Sequence, residues 1–455
     1  MAGTTRIPMA RGRLPILGHA WPMMRDPLGF LGSLADQGPL VRIALGPVKA
    51  VVVCDAELAH RMFMDDRTFD KGGPFTDRVR DVVGDNLSTC PHPEHRRQRR
   101  LLQPAFHVGR FGAYGRTMSA QIAERVDAWQ DGQVLDVPAE MAMLTTNVLT
   151  ATMFSDTLSP AELKQSQEDA DVLATDILPR MMMPRALTKL PIPPNVRFER
   201  AHARIRGTIE TIVAARRAEG GDRGDLLSAL LAGYDEESTG AARTLSDTEV
   251  VNQMLTFHLA GSETTAVTLA WALHLIARHP DVERRLHAEV DAVLAGRTAG
   301  PDDVPALELT GRVVTETLRL RSPVYVLTRQ VTADTELGGH RLPAGTVLAY
   351  SPYPIHHNAD LHPDPHRFDP DRWDPARKPA RHAFVPFANG ARKCIGDKFS
   401  LMEATLALAS IVARWRLAHV PGEEDIRPAA AAVIRPRRLR MRAFSRTPGD
   451  RSGQR

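Results

Sequence analysis

The sequence predicts a mainly α-helical fold with small β-sheets, in which an α-rich domain carries a smaller β-rich lobe. Most segments within residues 94–285 place apolar residues at helical spacing. One of these helices, over residues 247–278, would span roughly 48 Å at about 1.5 Å per residue, so it must cross the body of the protein. Short β-branched runs with glycine and proline turns occupy residues 40–54 and 324–353, which predicts strands there.

We expect a single domain over residues 1–445, because a chain of 455 residues is long for one small domain and short for three. Residues 1–30 are rich in proline and glycine and should form an irregular arm. The β-rich lobe takes residues of about 40–75 and 324–353. Residues 446–455 should form a disordered tail.

The long helix has a recognisable beginning. Ser246, with Glu249 three residues later, forms a capping-box pattern. Two further helices are predicted over residues 310–321 and 398–414. In contrast, residues 178–195 contain five prolines and are predicted to form a surface connection.

Composition and charge exclude several classes of protein. The formal net charge of +4 is too small to argue for nucleic-acid binding. Three cysteines without metal-type spacing argue against a disulfide framework and favour a reducing compartment. The N-terminus lacks the apolar core of a signal peptide, and no run approaches roughly 18 consecutive apolar residues. We therefore expect a cytoplasmic protein without a transmembrane anchor.

The segment Phe387-Ala-Asn-Gly-Ala-Arg-Lys-Cys-Ile-Gly396 has the residue types that a metal-binding thiolate requires. Arg392 and Lys393 place positive charge beside Cys394, which favours the thiolate over the thiol. The following helix directs free backbone N–H groups towards the same sulfur. Phe387 would shield the ligand from water.

Two glycines in this segment also have an expected role. Gly390 and Gly396 would allow the backbone to turn tightly and to approach a flat ligand closely. The alternative for a lone cysteine is a buried structural thiol, and Cys54 and Cys90 are interpreted that way. The residues around Cys394 argue against that alternative.

The segment resembles the haem signature of the cytochrome P450 family, Phe-x-x-Gly-x-Arg-x-Cys-x-Gly, at every specified position. The resemblance covers nearly the whole chain and implies the P450 fold over residues 1–445. It also implies haem b with the sulfur of Cys394 as axial ligand of the iron, and a monooxygenase that inserts oxygen from O2 into an unactivated C–H bond. A thiolate ligand donates electron density to iron and favours O–O cleavage.

The middle of the long helix contains residues that are poor helix formers or charged, in Ala260-Gly-Ser-Glu-Thr-Thr265. Such inconsistency in a buried element often marks a functional site. Gly261 would allow a kink or π-bulge that opens space for dioxygen. Glu263 would relay protons, and Thr264 would hold a water by a hydrogen bond.

A structural explanation of this segment is also open. Glu263 could form an ion pair, and Thr264 could bond back to a carbonyl of its own helix. The segment resembles the P450 I-helix motif, in which an acid and the following threonine deliver protons for oxygen activation. That resemblance implies catalytic roles for Gly261, Glu263 and Thr264.

Four side chains are expected to bind the haem propionates. His95 and Arg99 lie one helical turn apart. Such a basic helix face is usually only solvated, but this one resembles the P450 C-helix, which contacts propionates. Arg329 and Arg392 match two further propionate-binding positions of the family. Cationic groups opposite carboxylates are chemically sensible partners.

Glu316-Thr-Leu-Arg319 places a carboxylate and a guanidinium on one helix face, which alone would be a surface pair of little energetic value. It resembles the Glu-x-x-Arg pair of the P450 K-helix. The resemblance implies that Arg367 is the third member of a buried structural triad that holds the cysteine loop. The family usually has Glu where His366 stands.

No Gly-x-Gly-x-x-Gly segment follows a strand, so a flavin or nicotinamide domain is not expected. Electrons should come from a ferredoxin and a ferredoxin reductase that uses NAD(P)H. A cationic face formed by Arg392, Lys393 and Lys398 would suit an acidic partner. We expect the protein to be a monomer.

The substrate is expected to be apolar, because the segments at the family's pocket positions have few charged side chains at the candidate contact points. These segments are residues of about 75–87, 177–183, 257–261, 324–327 and 430–433. Methionines 181–183 fit this view, although such runs usually serve packing. Residues 17–30, 95–106 and 327–373 resemble bacterial terpene-oxidising members of the family. The resemblance implies a sesquiterpene hydrocarbon such as pentalenene, oxidised in one or more rounds in terpenoid antibiotic biosynthesis.

Three other functions are alternatives to this one. The first is a P450 hydroxylase of a fatty acid, a macrolide or another secondary metabolite. The second is a non-catalytic haem-binding sensor or carrier, against which Glu263 and Thr264 argue. The third, a terpene cyclase, is disfavoured because no Asp-Asp-x-x-Asp cluster is present.

Overall fold

The structure, a computed structural model, describes residues 6–155, 158–377, 379–380 and 382–446, without the side chains of Leu178, Met181 and Met182. The predicted disordered tail lies outside the described residues except for Arg446.

The α-helices of the described residues, numbered in chain order, are α1 (Ala20–Arg25), α2 (Pro27–Ala35), α3 (Ala56–Met64), α4 (Gly73–Val83), α5 (His92–Leu102), α6 (Val108–Asp127), α7 (Val137–Phe154), α8 (Pro160–Met182), α9 (Arg185–Thr188), α10 (Pro193–Glu219), α11 (Leu226–Leu231), α12 (Asp247–Ala277), α13 (Pro280–Leu294), α14 (Glu308–Leu320), α15 (Pro352–His356) and α16 (Asp397–Arg414). The strands are β1 (Leu40–Leu45), β2 (Val48–Val53), β3 (Phe69–Asp70), β4 (Val134–Asp136), β5 (Leu327–Val331), β6 (Thr335–Leu337), β7 (His340–Leu342), β8 (Val347–Tyr350), β9 (Trp415–His419), β10 (Pro428–Ala430), β11 (Ile434–Pro436) and β12 (Arg440–Ser445).

The helix α12 runs through the main hydrophobic core and confirms the predicted long helix. The capping box is present: the Ser246 hydroxyl accepts from the Glu249 N–H, and the Glu249 carboxylate accepts from the Ser246 N–H at 2.9 Å. The helix packs against α7, α10, α14 and α16. Its Trp271 side chain is fully buried. Enclosure on several sides lets residues in the middle of α12 face the interior of the protein.

The largest sheet joins two distant parts of the chain and confirms the strands predicted from the β-branched runs. Its strand order is β1-β2-β8-β5-β3. The strands β1 and β2 form an antiparallel hairpin, and β2 pairs in parallel with β8 through Val51↔Leu348 and Val53↔Tyr350. The sheet therefore brings β3, which follows α3, and β8, which precedes α15, to the same side of the molecule as the loop that carries Cys394.

Two predicted irregular segments contain helices. The arm over residues 1–30 includes α1 and the start of α2, because the Asp26 carboxylate accepts from the Gly29 N–H at 2.9 Å and Pro27 stands at the first helical position. The connection 178–195 begins inside α8, which continues through Pro179 in its last turn. The remainder of that segment holds only the short helix α9 and the start of α10.

No helix in the described part of the chain is both long enough and apolar enough to cross a membrane.

Candidate active site

The cysteine loop is a closed turn that carries Cys394 near its end. The Cys394 N–H donates to the Phe387 carbonyl at 3.0 Å, and the Lys393 N–H donates to the Gly390 carbonyl at 3.1 Å. Gly390 has a φ of +69°, and a Cβ there would lie 2.1 Å from the carbonyl oxygen of Phe63 in α3. Glycine is therefore required at this position by both the backbone conformation and the close approach of α3.

The second glycine of the loop, Gly396, has an ordinary backbone conformation with a φ of −92°. A Cβ there would lie 3.9 Å from the nearest described atom, in Phe106. The expectation that Gly396 is needed for the tight turn is wrong, because the loop turns at Ala388 (φ +58°) and Gly390. Its expected approach to a flat ligand stays a prediction, as does the shielding role of Phe387.

Cys394 combines an exposed side chain with close protein surroundings, from which we infer that it lines an internal space. The residue is exposed, yet burial raises the pKa of its thiol. A hydrogen bond from the Gly396 N–H and the charges of Arg99 and Lys393 act in the opposite direction, and Asp397 adds to the rise in pKa. Burial thus outweighs the cations on which the sequence argument relied. A free thiol would stay protonated until a metal displaced its proton.

The middle of α12 also faces an internal space. Ala260 is exposed although His258 and Ser262 on either side of it are buried. The hydroxyl oxygens of Thr265 and Ser400 are 3.1 Å apart, and Ser400 lies in the first turn of α16, directly after the cysteine loop. The fold therefore brings residues 260–265 of α12, which were predicted to act in oxygen activation, close to the loop that carries Cys394.

Glu263 is a partly buried acid without a hydrogen bond or ion pair to any described residue. Burial raises the pKa of its carboxyl to about 7, with Arg435 lowering and Asp171 raising it. Arg435 and Asp171 form an ion pair of 3.2 Å, in which the Asp171 side chain is 68% exposed. The ion-pair alternative for Glu263 is therefore not seen, and the acid lies between the core and a charged pair at the surface.

Thr264 and Gly261 differ from what the sequence led us to expect. The Thr264 hydroxyl donates to the Ala260 carbonyl at 2.9 Å, which is the structural alternative considered for it, and its oxygen keeps acceptor capacity. Gly261 lies in an unbroken α-helix, so the π-bulge offered as one possibility is not present, whereas the kink stays a prediction. A Cβ at Gly261 would lie 2.9 Å from Leu149 of α7. Glycine here allows two core helices to pack closely.

Three members of the predicted propionate set, two guanidinium groups and one imidazole, form a buried cluster. His95 and Arg329 are each 2% exposed, and Arg392 is 8% exposed. Burial and the charge of Arg392 lower the pKa of His95 to about 3 and that of Arg329 to about 10. Arg99 lies further out and donates to the Lys393 carbonyl at 2.7 Å.

Two carboxylates compensate this cluster only in part. Arg392 pairs with Asp70 and donates to the Cys90 carbonyl at 2.7 Å, and its Nε lies 3.4 Å from Asp66. That Nε is buried and has no hydrogen-bond partner among the described residues. The Arg329 guanidinium donates only to the Thr328 carbonyl within the described part of the chain. The surplus of positive charge and free donors fits the two carboxylates of a haem.

Lys71 is a member of this cluster that the sequence analysis missed. Burial, and then the charges of Arg329 and Arg392, lower the pKa of Lys71 well below its usual range. No described residue accepts a hydrogen bond from its ammonium group. The only sequence signal is its position directly after Asp70, and a lone lysine has no motif. Arg392, in turn, is buried, so the predicted cationic surface is reduced to Lys393 and Lys398.

The structural triad exists with a different third member. Glu316 and Arg319 are fully buried and form two hydrogen bonds of 2.7 and 2.9 Å. Arg367 is exposed and contributes only its carbonyl, which accepts from Arg319 at 3.1 Å. The third cation is Arg372, whose Nε lies 3.6 Å from the Glu316 carboxylate, and Trp373 donates to Glu316 at 2.8 Å.

The reason for this correction lies in the chain itself. Pro365-His-Arg-Phe368 is followed at once by Pro370-Asp-Arg-Trp373, which has the same Pro-x-Arg-aromatic pattern. The second string forms a short 3-10 turn that packs against α14. The Arg367 side chain is exposed and forms no hydrogen bond or ion pair with Glu316. Both segments match the Pro-x-Arg-aromatic pattern, and only their packing shows which arginine lies next to Glu316.

Comparisons with known proteins agree with this geometry. Residues 8–441 match the sequence family described as Cytochrome P450. The chain is 44% identical over 445 residues to "Pentalenene oxygenase" of Streptomyces avermitilis, covering 97% of this chain and 98% of that protein. It is 43% identical over 416 residues to "Cyclooctat-9-en-7-ol 5-monooxygenase" of Streptomyces melanosporofaciens, covering 91% and 90%. The crystal structure of the cytochrome P450DA heme domain superposes with a TM-score of 0.88 at 26% identity, covering 99% of this chain and 100% of that one.

Proposed function

This chain belongs to the cytochrome P450 family of haem-thiolate monooxygenases, and from that premise we propose that it oxidises a terpene, with Cys394 as the axial ligand of haem b. The observation that carries the proposal is the placement of Cys394 on the wall of an internal space beside a cluster of incompletely neutralised cations. A thiolate ligand and anchored propionates need both features.

When bound, the haem supplies the activation of O2 by which one oxygen atom is inserted into a C–H bond. The protein's part is to hold the haem and to deliver protons. His95, Arg99, Arg329 and Arg392, with Lys71 added, hold the propionates. The triad of Glu316, Arg319 and Arg372 stabilises the irregular segment over residues 357–386, here called the meander. This segment connects α15 to the loop that carries Cys394.

Proton delivery is assigned to Glu263 and Thr264. A carboxyl with a pKa of about 7 can take up and release a proton near neutral pH. Glu263 takes the proton from the solvent side, where Asp171 and Arg435 lie. The Thr264 oxygen accepts a hydrogen bond from Glu263 or from a water between them, and rotation about χ1 turns the Thr264 hydroxyl from the Ala260 carbonyl towards the internal space.

The proposed substrate is an apolar cyclic terpene, in the first instance a sesquiterpene hydrocarbon such as pentalenene. The printed names of the relatives at 44% and 43% identity support this class. The exposed Ala260 adds an apolar side chain to the wall of the internal space. Further oxidation of the first product at the same carbon is part of the proposal.

The proposed electron donor is a ferredoxin that is reduced by a ferredoxin reductase with NAD(P)H. Lys393 and Lys398 supply positive charge next to the cysteine loop, although Lys393 pairs with Asp397. The proposed oligomeric state is a monomer, and the proposed location is the cytoplasm.

The role of Cys394 is tested by substitution. In Cys394→Ser we expect loss of the red-shifted Soret band of the reduced carbon monoxide complex, because a hydroxyl does not replace the thiolate. Cys54→Ser is the matched control, since burial raises the pKa of this thiol to about 12 and keeps it as an inert core group. A red-shifted band in Cys394→Ser would contradict the assignment.

The proton-relay assignment is tested by the pH dependence of product formed per NADPH consumed, with surrogate ferredoxin and reductase. In the natural protein this ratio should fall as pH rises above about 7, because Glu263 loses its proton. Glu263→Gln should remove that dependence, and Thr264→Ala should lower the ratio roughly tenfold or more in favour of peroxide. Thr268→Ala is the control, since its hydroxyl is also bonded back to its own helix, at 2.8 Å from the Thr264 carbonyl.

The substrate is tested by titrating the haem spectrum with a panel of sesquiterpenes, diterpenes, fatty acids and macrolides. A terpene should produce the low-spin to high-spin shift and then an oxygenated product. A shift with fatty acids or macrolides alone would replace the terpene proposal by another P450 specificity. A haem protein that gives no product with any ligand would favour a sensor or carrier.

A further inference from the structure

An exposed apolar patch lies near the N-terminus, at a distance in sequence from every residue assigned to the active site. It consists of the large side chains of a short hairpin and of α1: Leu14, Ile16, Leu17, Trp21 and Met24. Ile16 is 94% exposed, Met24 70%, Trp21 55%, Leu17 53% and Leu14 39%. Single exposed apolar residues are ordinary, but five within eleven positions form a patch of the kind that marks an interaction site.

The exposure of this patch does not come from a loose end of the chain. Leu14 and Gly18 exchange two backbone hydrogen bonds of 2.8 and 3.0 Å. The buried ring of His19 binds the backbone at two points, the Ala44 N–H and the Ala10 carbonyl, each at 3.0 Å. A firmly anchored base therefore presents the apolar side chains to the outside.

Ile16 stands at the tip of this hairpin in a strained conformation. Its φ is +61°, which is rare for a β-branched residue. A glycine or asparagine would adopt this conformation at lower cost. The fold buries almost none of the Ile16 side chain in return, so only the backbone hydrogen bonds of the hairpin hold this conformation. A β-branched residue that is kept exposed at such a position points to a use of its side chain outside the fold.

Positive charges predominate in the segment that carries the patch, and the first acid along the chain is Asp26, whose carboxylate caps α2. Residues 1–25 contain four arginines, at positions 6, 11, 13 and 25, and no aspartate or glutamate. All four are exposed. None forms an ion pair with a described residue, whereas many surface arginines elsewhere are paired, for example Arg125 with Glu140 and Arg285 with Asp371.

We propose that this apolar patch and its arginines dock the protein on the surface of an anionic lipid bilayer. An apolar face rimmed by cations, with a tryptophan at its edge, is the arrangement that binds the headgroup region of such a surface. A second copy of the chain is a poorer occupant, because a two-fold contact through this patch would bring the arginines of both copies together.

The position of the patch gives the attachment a use. Met23 of α1 packs against the same core cluster as Tyr325, Val326 and Ala430, in segments that the sequence analysis assigned to the substrate pocket. Attachment would thus bring the pocket side of the molecule to a phase in which apolar terpenes dissolve. This use rests on the proposed function, whereas the attachment itself does not.

The experiment uses the haem-loaded protein and vesicles of phosphatidylcholine, alone or mixed with phosphatidylglycerol. We expect co-sedimentation with the mixed vesicles at low salt, weaker binding at high salt and little binding to phosphatidylcholine alone. Brominated lipid should quench part of the tryptophan fluorescence, and Trp21→Phe should remove most of the quenching. Trp129, Trp271 and Trp415 are at most 9% exposed, and Trp373 is half-buried with its indole N–H bonded to Glu316.

Two variants separate docking from a structural role. Ile16→Gly should relieve the backbone strain and raise the unfolding temperature, yet lower the affinity for mixed vesicles by roughly tenfold. Arg11→Gln with Arg13→Gln should weaken the binding and its salt dependence. Val108→Ser is the control, because Val108 is 58% exposed outside the patch. The carbon monoxide complex should be unchanged in all of them.

Several results would overturn the proposal. These are no binding to mixed vesicles, equal binding by Ile16→Gly and the natural protein, or equal binding to both lipid compositions. A doubled mass in light scattering that Ile16→Gly abolishes would assign the patch to a second copy instead. Each readout is independent of turnover, so failure here would leave the terpene assignment untouched, and the reverse also holds.

Discussion

At the residue scale, Glu403 is a buried acid that no sequence pattern indicated. It is 1% exposed, and its Oε1 has no hydrogen-bond partner among the described residues. Burial raises the pKa of its carboxyl to about 8, against which a hydrogen bond with Thr265 acts. The folded protein therefore holds a proton here that the unfolded chain releases at lower pH.

This proton makes stability depend on pH in a direction opposite to that of most carboxylates. Between pH of about 5 and 8, the unfolding free energy should fall by up to roughly 1.4 kcal/mol per pH unit on account of this group. Glu263, whose pKa is raised to about 7, acts in the same sense. Glu403→Gln should remove the part of this pH dependence of the unfolding free energy that Glu403 causes. The variant should therefore become more stable relative to the natural protein as pH approaches 8.

Urea unfolding of the haem-loaded protein at several pH values measures this effect. Exposed Glu336→Gln provides the control, and its slope should equal that of the natural protein. Equal slopes for Glu403→Gln and the natural protein would show that Glu403 carries no extra proton in the folded state.

The same residues show which parts of the site sequence can reveal. Cys394, Glu263 and Thr264 stand in short local strings, so their chemistry was visible. The environment of Glu403 depends on α16 packing against α12, and the pKa of Cys394 depends on burial that outweighs adjacent cations. Burial is a property of the whole fold, so local charge patterns gave the wrong direction for the thiol.

At the element scale, the two glycines of the cysteine loop should behave differently. Gly390→Ala forces a Cβ to within 2.1 Å of a backbone oxygen of α3 at a φ of +69°, so we expect a loss of about 3 kcal/mol or more of stability. Gly396→Ala meets no described atom within 3.9 Å. It should fold normally and lower only the retention of haem.

Expression level, thermal unfolding and the haem-to-protein ratio distinguish the two variants. Equal thermal stability of both would contradict the argument from the Phe63 carbonyl. Normal haem retention in Gly396→Ala would remove the remaining reason for glycine at that position.

The meander offers a second matched pair at this scale. Arg372 donates to the Pro363 carbonyl at 2.7 Å and lies 3.6 Å from Glu316. Arg372→Leu should therefore cost roughly 2 kcal/mol of unfolding free energy and loosen haem binding. Arg367→Leu should change stability by less than about 0.5 kcal/mol, because its side chain is exposed. Chemical unfolding followed by the Soret band measures both, and a larger loss in Arg367→Leu would restore Arg367 as the third member.

Periodic elements were predictable and aperiodic ones were not. The helix α12 and the β1–β2 hairpin have strong periods and clear caps or turns, and both were found within one or two residues. The meander between α15 and the cysteine loop has no period, so nothing local chose between Arg367 and Arg372. In α8, Pro179 near the end did not stop the helix as the sequence rule expects.

At the scale of the whole molecule, the buried cations join parts that are far apart in sequence. Lys71, His95, Arg329 and Arg392 come from four different elements or loops, with Asp66 and Asp70 as partial counter-charges. Their assembly could not be read from any one motif, and Lys71 was missed for that reason. Without a bound dianion the charged members of this cluster, above all Arg329 and Arg392, repel one another.

The effect of the substitution Arg329→Met should therefore be opposite in the protein without haem and in the protein with haem. In the apoprotein, Arg329→Met should raise the unfolding free energy by roughly 1–3 kcal/mol, because the pKa of Arg329 is already lowered to about 10 by burial and Arg392. In the haem-loaded protein the same variant should lose haem faster. Arg96→Met, an exposed position on α5, should change neither quantity. Denaturant unfolding of both forms and haem transfer to an acceptor protein supply the measurements, and destabilisation of both forms would contradict the repulsion argument.

The parallel pairing of β2 with β8 has a consequence for the order of events during synthesis. Val51 meets Leu348 across almost 300 residues, and closing so long a loop is slow compared with local contacts. The hairpin of β1 and β2 leaves the ribosome early. The edge of β2 that pairs with β8 stays unpaired until β8 has also been synthesised. Cys394 emerges later still. Haem capture is then a late step, and a nascent chain that ends before β8 should aggregate through the unpaired edge before it can bind the cofactor.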